Sequence, residues 1–187
     1  MRSLLANIAA RPEEVAAPRR GDDLVPDADV VMDRAFTLDC APELVWPWLV
    51  QLGKHRAGWY LPRAVERLIP TSRRAIRFVS SRWQDLHVGD IIPDYGGRHE
   101  TFEVALVEPP STLVYRSRRG HVEVSWAITL TLTNRAAPER PRTRVHLRLR
   151  LGSLRRPWLA RTGGELVDLL TVAGLAAGLR ERLASES

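Results

Sequence analysis

The chain has 187 residues, enough to bury a real core in one domain with some decoration, and its 44% hydrophobic and 27% charged composition is ordinary for a globular protein. Its single cysteine, Cys40, excludes an internal disulfide and any CxxC metal site, and no apolar run is long enough to span a bilayer. The net charge is +6 and almost wholly arginine, Lys54 being the one lysine.

Residues 1–26 read as a partly irregular N-terminal extension, and residues 27–187 as a single domain. Pro12, Pro18 and Pro26, with the cluster Arg19-Arg20-Gly21-Asp22-Asp23, prevent a long regular element there. The apolar run Leu4–Ala10 is too short, and too soon followed by Pro12, Glu13 and Glu14, for a signal peptide. Together with the cysteine usage this gives a cytoplasmic reading.

Val30–Leu38 reads as the first strand, with Met32, Phe36 and Leu38 on one face and Arg34 on that same face by parity. Pro42–Leu52 reads as a helix that opens on Pro42, closes before Gly53 and kinks at Pro47. Pro62–Leu68 reads as a second helical piece, and residues 70–82 as a loop. Strands follow over Asp90–Asp94, Thr101–Val107, Thr112–Ser117, His121–Leu132 and Thr143–Leu151, with Tyr95-Gly96-Gly97-Arg98 as a hairpin turn. The last element is a helix capped by Thr162 and Glu165, its stripe running through Leu166, Leu169, Leu170, Ala173, Ala176 and Ala177. Successive hairpins imply an antiparallel sheet, and one apolar-faced helix must cover it, an α+β arrangement. The small residues from Ala173 to Gly178 either let that helix approach the sheet closely or leave a void.

Between Arg140 and Arg161 stand eight arginines and no acid, a basic stripe. Strict alternation puts Arg144, Arg148 and Arg150 on the outward strand face. That face, with Arg155 and Arg156 beyond it, is either a solvated surface or a weak contact for an anionic surface. Nothing marks a specific nucleic-acid site.

The stretch Phe36–Gly53 resembles the opening of the START-like, or SRPBCC, superfamily, which includes polyketide cyclases, pollen-allergen-type binders and lipid-transfer domains. The resemblance extends through Arg56-Ala-Gly-Trp-Tyr60, Trp83-Gln-Asp-Leu-His-Val-Gly-Asp90, Val107-Glu-Pro-Pro-Ser-Thr-Leu-Val114 and Ser125-Trp126, a span of residues 22–180 that points to an uncharacterised bacterial branch. It implies a helix-grip fold: a curved antiparallel sheet around a long C-terminal helix, with an internal hydrophobic cavity. It is specific for fold and carries over no catalytic residue.

No GxSxG, P-loop, GxGxxG or HExxH pattern occurs, and the five histidines are scattered, so neither a metal nor a cofactor is expected. The candidate ligand-binding residues are Arg34, Trp59, Tyr60, Trp83, Tyr95, His99, Phe102, Tyr115 and Trp126. Aromatic walls with a few polar tips suit a small hydrophobic, lipid-like or aromatic molecule, and the same rings can equally fill a core. Arg34 can anchor a ligand anion or pair with an acid such as Glu103. The leading expectation is therefore a binding protein. The second is a cofactor-independent cyclase or aromatase in which His99, Tyr95 or Tyr115 moves a proton. The third is an interaction protein docking through its arginine face.

Overall fold

Alternation of apolar and polar residues produces six strands that pair into one antiparallel sheet. They are β1 (Val30–Leu38), β2 (Ile91–Pro93), β3 (Thr101–Glu108), β4 (Thr112–Arg119), β5 (Val122–Leu132) and β6 (Thr143–Gly152), in the order β1-β6-β5-β4-β3-β2. The helices are α1 (Pro12–Ala16), α2 (Pro42–Val50), α3 (Arg63–Glu66) and α4 (Glu165–Leu183). This computed structural model describes residues 8–97, 99–133, 139–154 and 164–185, and only the backbone of Glu165 and Leu166.

The register sorts the side chains onto two faces. Phe36 lies opposite Val145, Ile128 opposite Leu147 and Leu113, Trp126 opposite Leu149 and Tyr115, and Ile92 opposite Phe102. These residues form the inner face, against which α4 lies. A β-bulge between Val104 and Leu106 rephases β3, so that Val107 packs with the core as Val104 does.

The helix α4 buries Val172, Leu175, Ala176 and Leu179. This stripe is turned from the expected one: Leu170 is 59% exposed, and the alanines of the expected stripe bury less apolar surface than Val172, Leu175 and Leu179. The phase also brings Gly178 onto the backbone of Tyr60 and Leu61, where an added Cβ would stand 2.6–2.8 Å from their atoms. The small residues here serve close approach. The expected cap at Thr162 and the turn at Pro157–Leu159 lie outside the described residues.

Helix α2 is two residues shorter at its end than expected and runs through Pro47. Beyond it, Gly53 and Gly58 pair as an isolated antiparallel bridge. Buried Gln51 fixes the following loop, donating to Phe78 O (3.1 Å) and accepting from Ser80 N (3.0 Å). At the far end, fully buried Arg182 pairs with Glu66 at 2.6 Å and lies over the Tyr60 ring.

The outer face is covered by residues 8–26, which run over it as a strap. Ile8 O accepts from Ala35 N, and Ala9 bridges Arg34 at the free edge of β1. Glu14 grips Arg144 with both oxygens at 2.7 Å. Arg148 reaches Asp33 (2.8 Å) and Asp22 (2.9 Å) and donates to the carbonyls of Glu14, Val15 and Ala17. Arg150 donates to Val25 O and Pro26 O, both at 2.9 Å. Gly21, at φ +91°, sits so close to Val114 that a Cβ would meet its Cγ1 at 2.6 Å. The alternation placed these arginines on the outer face correctly. The expected solvated or anion-contacting surface is corrected for Arg144, Arg148 and Arg150, because strap acids and carbonyls use their donors and only 4% of the Arg148 side chain is exposed. Arg155 and Arg156 lie outside the described residues.

Candidate functional site

Between the first half of α4 and the sheet lies a pocket of about 570 Å³. Its walls are Trp59 from the loop after α2, Asp94 and Tyr95 after β2, Phe102 on β3, Trp126 on β5, Leu149 on β6, and Gly164, Val167, Asp168, Thr171 and Val172 of the α4 region. Tyr95 and Val167, 54% and 64% exposed, stand at its rim.

Strand parity brings the rings together. Trp126 is central: it stacks on Tyr115 with centroids 5.5 Å apart, on Trp59 at 6.0 Å, and meets Phe102 at 6.1 Å. Trp59 is held by its indole N–H, which donates to Thr171 O at 3.2 Å. The wall is therefore a rigid aromatic surface with its polar edge already satisfied.

The ionisable groups in the lining are paired. Asp94 accepts from Arg119 at 2.5 Å, and that guanidinium also covers the Phe102 ring at 5.2 Å. Asp168 lies 3.0 Å from Arg34 Nε across the helix–sheet gap. Burial pushes the Tyr95 phenol up, and the neighbouring Asp94 charge adds to this.

Of the nine sequence candidates, Trp59, Tyr95, Phe102 and Trp126 line the pocket. Tyr115 lies behind Trp126 and is only 3% exposed. Burial raises its phenol well above the ordinary range, with the Arg56 charge working against the rise. Arg34 is at the inner face as parity required, but its partner is Asp168; Glu103 pairs with Arg116 instead.

The other three candidates are corrected. Tyr60 is fully buried below α4, its hydroxyl donating to Trp48 O at 2.8 Å, so it is a core residue. Trp83 is covered by Arg56 and Arg82, at 4.9 and 4.5 Å, and is not among the residues that line the pocket. His99 is exposed and absent from the described lining. The reason is common to all three: nearness in sequence to a turn or helix end does not give the direction of the side chain.

Sequence reasoning missed Asp94, Leu149, Val167, Asp168, Thr171 and Val172. Leu149 was available, since it shares the inward face with Leu147 and stands opposite Trp126. The α4 residues required the helix phase. Among the described residues, no group of three or more potential metal ligands comes together.

A curved antiparallel sheet gripping a C-terminal helix defines the class: this is the helix-grip fold. Solved structures share it. A Rhodobacter sphaeroides protein superposes with a TM-score of 0.52 at 15% identity, covering 87% of this chain and 97% of its own. Protein MLL2253 from Mesorhizobium loti gives 0.50 at 19% identity, covering 84% of this chain and 99% of its own. No known family profile and no curated protein sequence matches the chain. No helix among the described residues is long and apolar enough to cross a membrane.

Proposed function

We propose that the protein binds a small hydrophobic molecule, lipid-like or aromatic, in the pocket between α4 and the inner face of the sheet. The observation that carries this reading is the mainly apolar pocket of about 570 Å³, walled by Trp59, Phe102 and Trp126. Its volume is in the range that small-molecule sites occupy, and stacked rings present an apolar surface at low entropic cost. Binding is favoured over proton-transfer chemistry because the lining carboxylates Asp94 and Asp168 are held in ion pairs and His99 stands elsewhere. The proposed site residues are Trp59, Tyr95, Phe102, Trp126 and Val167.

The test is a titration of intrinsic tryptophan fluorescence with dodecan-1-ol and with naphthalene, for wild type and Val167→Asp. Val167 is 64% exposed, so the substitution places a charge at the rim without opening the core. Saturable binding in wild type, weakened at least tenfold in Val167→Asp with unchanged thermal stability, is expected. Absence of saturable binding to both probes would remove the reading.

A further inference from the structure

Beside the aromatic pocket lies a second cavity of about 480 Å³, and Tyr95 lines both. Its other walls are Lys54, His55, Arg56, Gly58, Ser72, Arg73 and Arg74, from the loop after α2 and the turn after α3. Four permanent cations thus face one space.

Several arginines elsewhere are matched with acids: Arg77 with Glu66, Arg116 with Glu103, Arg144 with Glu14, Arg148 with Asp33. Here they are not. Lys54 Nζ donates to the carbonyls of Asp94 and Gly97, at 2.9 and 3.3 Å. Arg56 donates to Val50 O and Trp83 O, and its buried Nε has no partner. Arg74 donates to Ile69 O and Arg67 O. Carbonyl partners orient these groups without an ion pair, and Asp90 acts on Arg56 only through space. Among the described residues, no carboxylate is paired with any of the four. Of the nearby acids, Asp94 is committed to Arg119, and Asp90 accepts from His87 N at 2.9 Å.

We propose that this cavity is an anion site, and that the ligand of the aromatic pocket is an amphipathic anion whose phosphate or carboxylate head lies among Lys54, Arg56, Arg73 and Arg74. The proposal rests on the pocket reading above. Like charges gathered in a concave space repel one another and focus a positive potential, and an anion relieves both. Arginine and lysine donors form charge-assisted hydrogen bonds to phosphate oxygens. Tyr95, which borders both cavities, stands where an apolar chain would meet its charged head.

The experiment is calorimetric titration of the full chain with dodecyl phosphate, dodecan-1-ol and inorganic phosphate, below micellar concentration and at low salt. It is repeated on the Arg73→Ala/Arg74→Ala variant, whose two changed residues are exposed. Dodecyl phosphate is expected to bind wild type at least tenfold more tightly than dodecanol and inorganic phosphate. The double variant should lose that preference and keep its dodecanol affinity within twofold. Dodecanol binding without a phosphate preference, or a preference that survives in the double variant, would overturn the anion site and leave the apolar pocket standing. Inorganic phosphate binding as tightly as dodecyl phosphate would assign the site to the free anion and overturn the joined ligand. Failure of wild type to bind dodecanol or dodecyl phosphate would remove both readings.

Discussion

Replacing Arg148 by Met should destabilise the protein by about 3–5 kcal/mol, the cost of breaking a buried ion pair from one side. The magnitude follows from what is left behind. Arg148 and Asp33 side chains are each only 4% exposed, and their contact is 2.8 Å. Without the guanidinium, the Asp33 carboxylate keeps His146 Nε2 beside it at 3.0 Å. The carbonyls of Glu14, Val15 and Ala17 also lose their donor, which loosens the strap. Removing both partners should cost less than the sum, since a buried pair replaced as a unit leaves no orphan charge. The assay is urea denaturation of wild type, Arg148→Met, Asp33→Asn and the double variant at pH 7. Arg148→Met within about 1 kcal/mol of wild type, or strict additivity in the cycle, would refute the reasoning. Acid supplies a further arm. Burial acts to raise the Asp33 carboxyl, but the imidazole of His146 and the guanidinium of Arg148 outweigh it, and the net direction is down. The pair's contribution is therefore complete above the unfolded value, near pH 3.9, and is lost as pH falls through the lower folded value.

Glu14 should behave likewise at the strap: Arg144 holds its carboxyl at about 2, so acid between pH 4.5 and 2 should free residues 8–26, read as faster amide exchange there, and Glu14→Gln should shift that release to neutral pH. Gly178→Ala should cost more than about 2 kcal/mol despite the better helix propensity of alanine, because the added Cβ meets backbone, whereas Gly174→Ala meets only the flexible end of Leu61 and should cost less than half as much in thermal denaturation. Tyr60→Phe should lose about 1 kcal/mol through the missing bond to Trp48 O and leave dodecanol affinity unchanged; a binding defect would return Tyr60 to the site.

The strands were legible because alternation is a local signal, and their antiparallel pairing followed from short hairpins such as Arg118-Arg119-Gly120, whereas the closure of β1 on β6 left no local signal. The pocket rings Phe102 and Trp126 were legible through the same alternation. The phase of α4 was not, since Leu169 and Leu170 compete with Val172 and Leu175 around the helix and only the approach of Gly178 to Tyr60 decides it. The strap left no readable pattern. Its arginine contacts from β6 join residues more than 120 positions apart, and many are donors on backbone carbonyls, which any residue type can provide. The blocks that carried the family resemblance hold the frame more than the pocket. Arg56 ties Val50 O to Trp83 O, and Tyr60 ties itself to Trp48, while Trp59 and Trp126 line the aromatic pocket.

The pairing of Ile8 and Ala9 with β1 bears on how the protein behaves at high concentration. A sheet of this kind has two margins where another chain could add a strand. At one, the strap takes up backbone groups midway along β1, at Arg34 and Ala35. At the other, β2 is only three residues long and ends in Pro93, which has no N–H to offer. The molecule thus carries a long sheet with neither margin open for continuous growth, and loss of the strap would expose one of them to self-association.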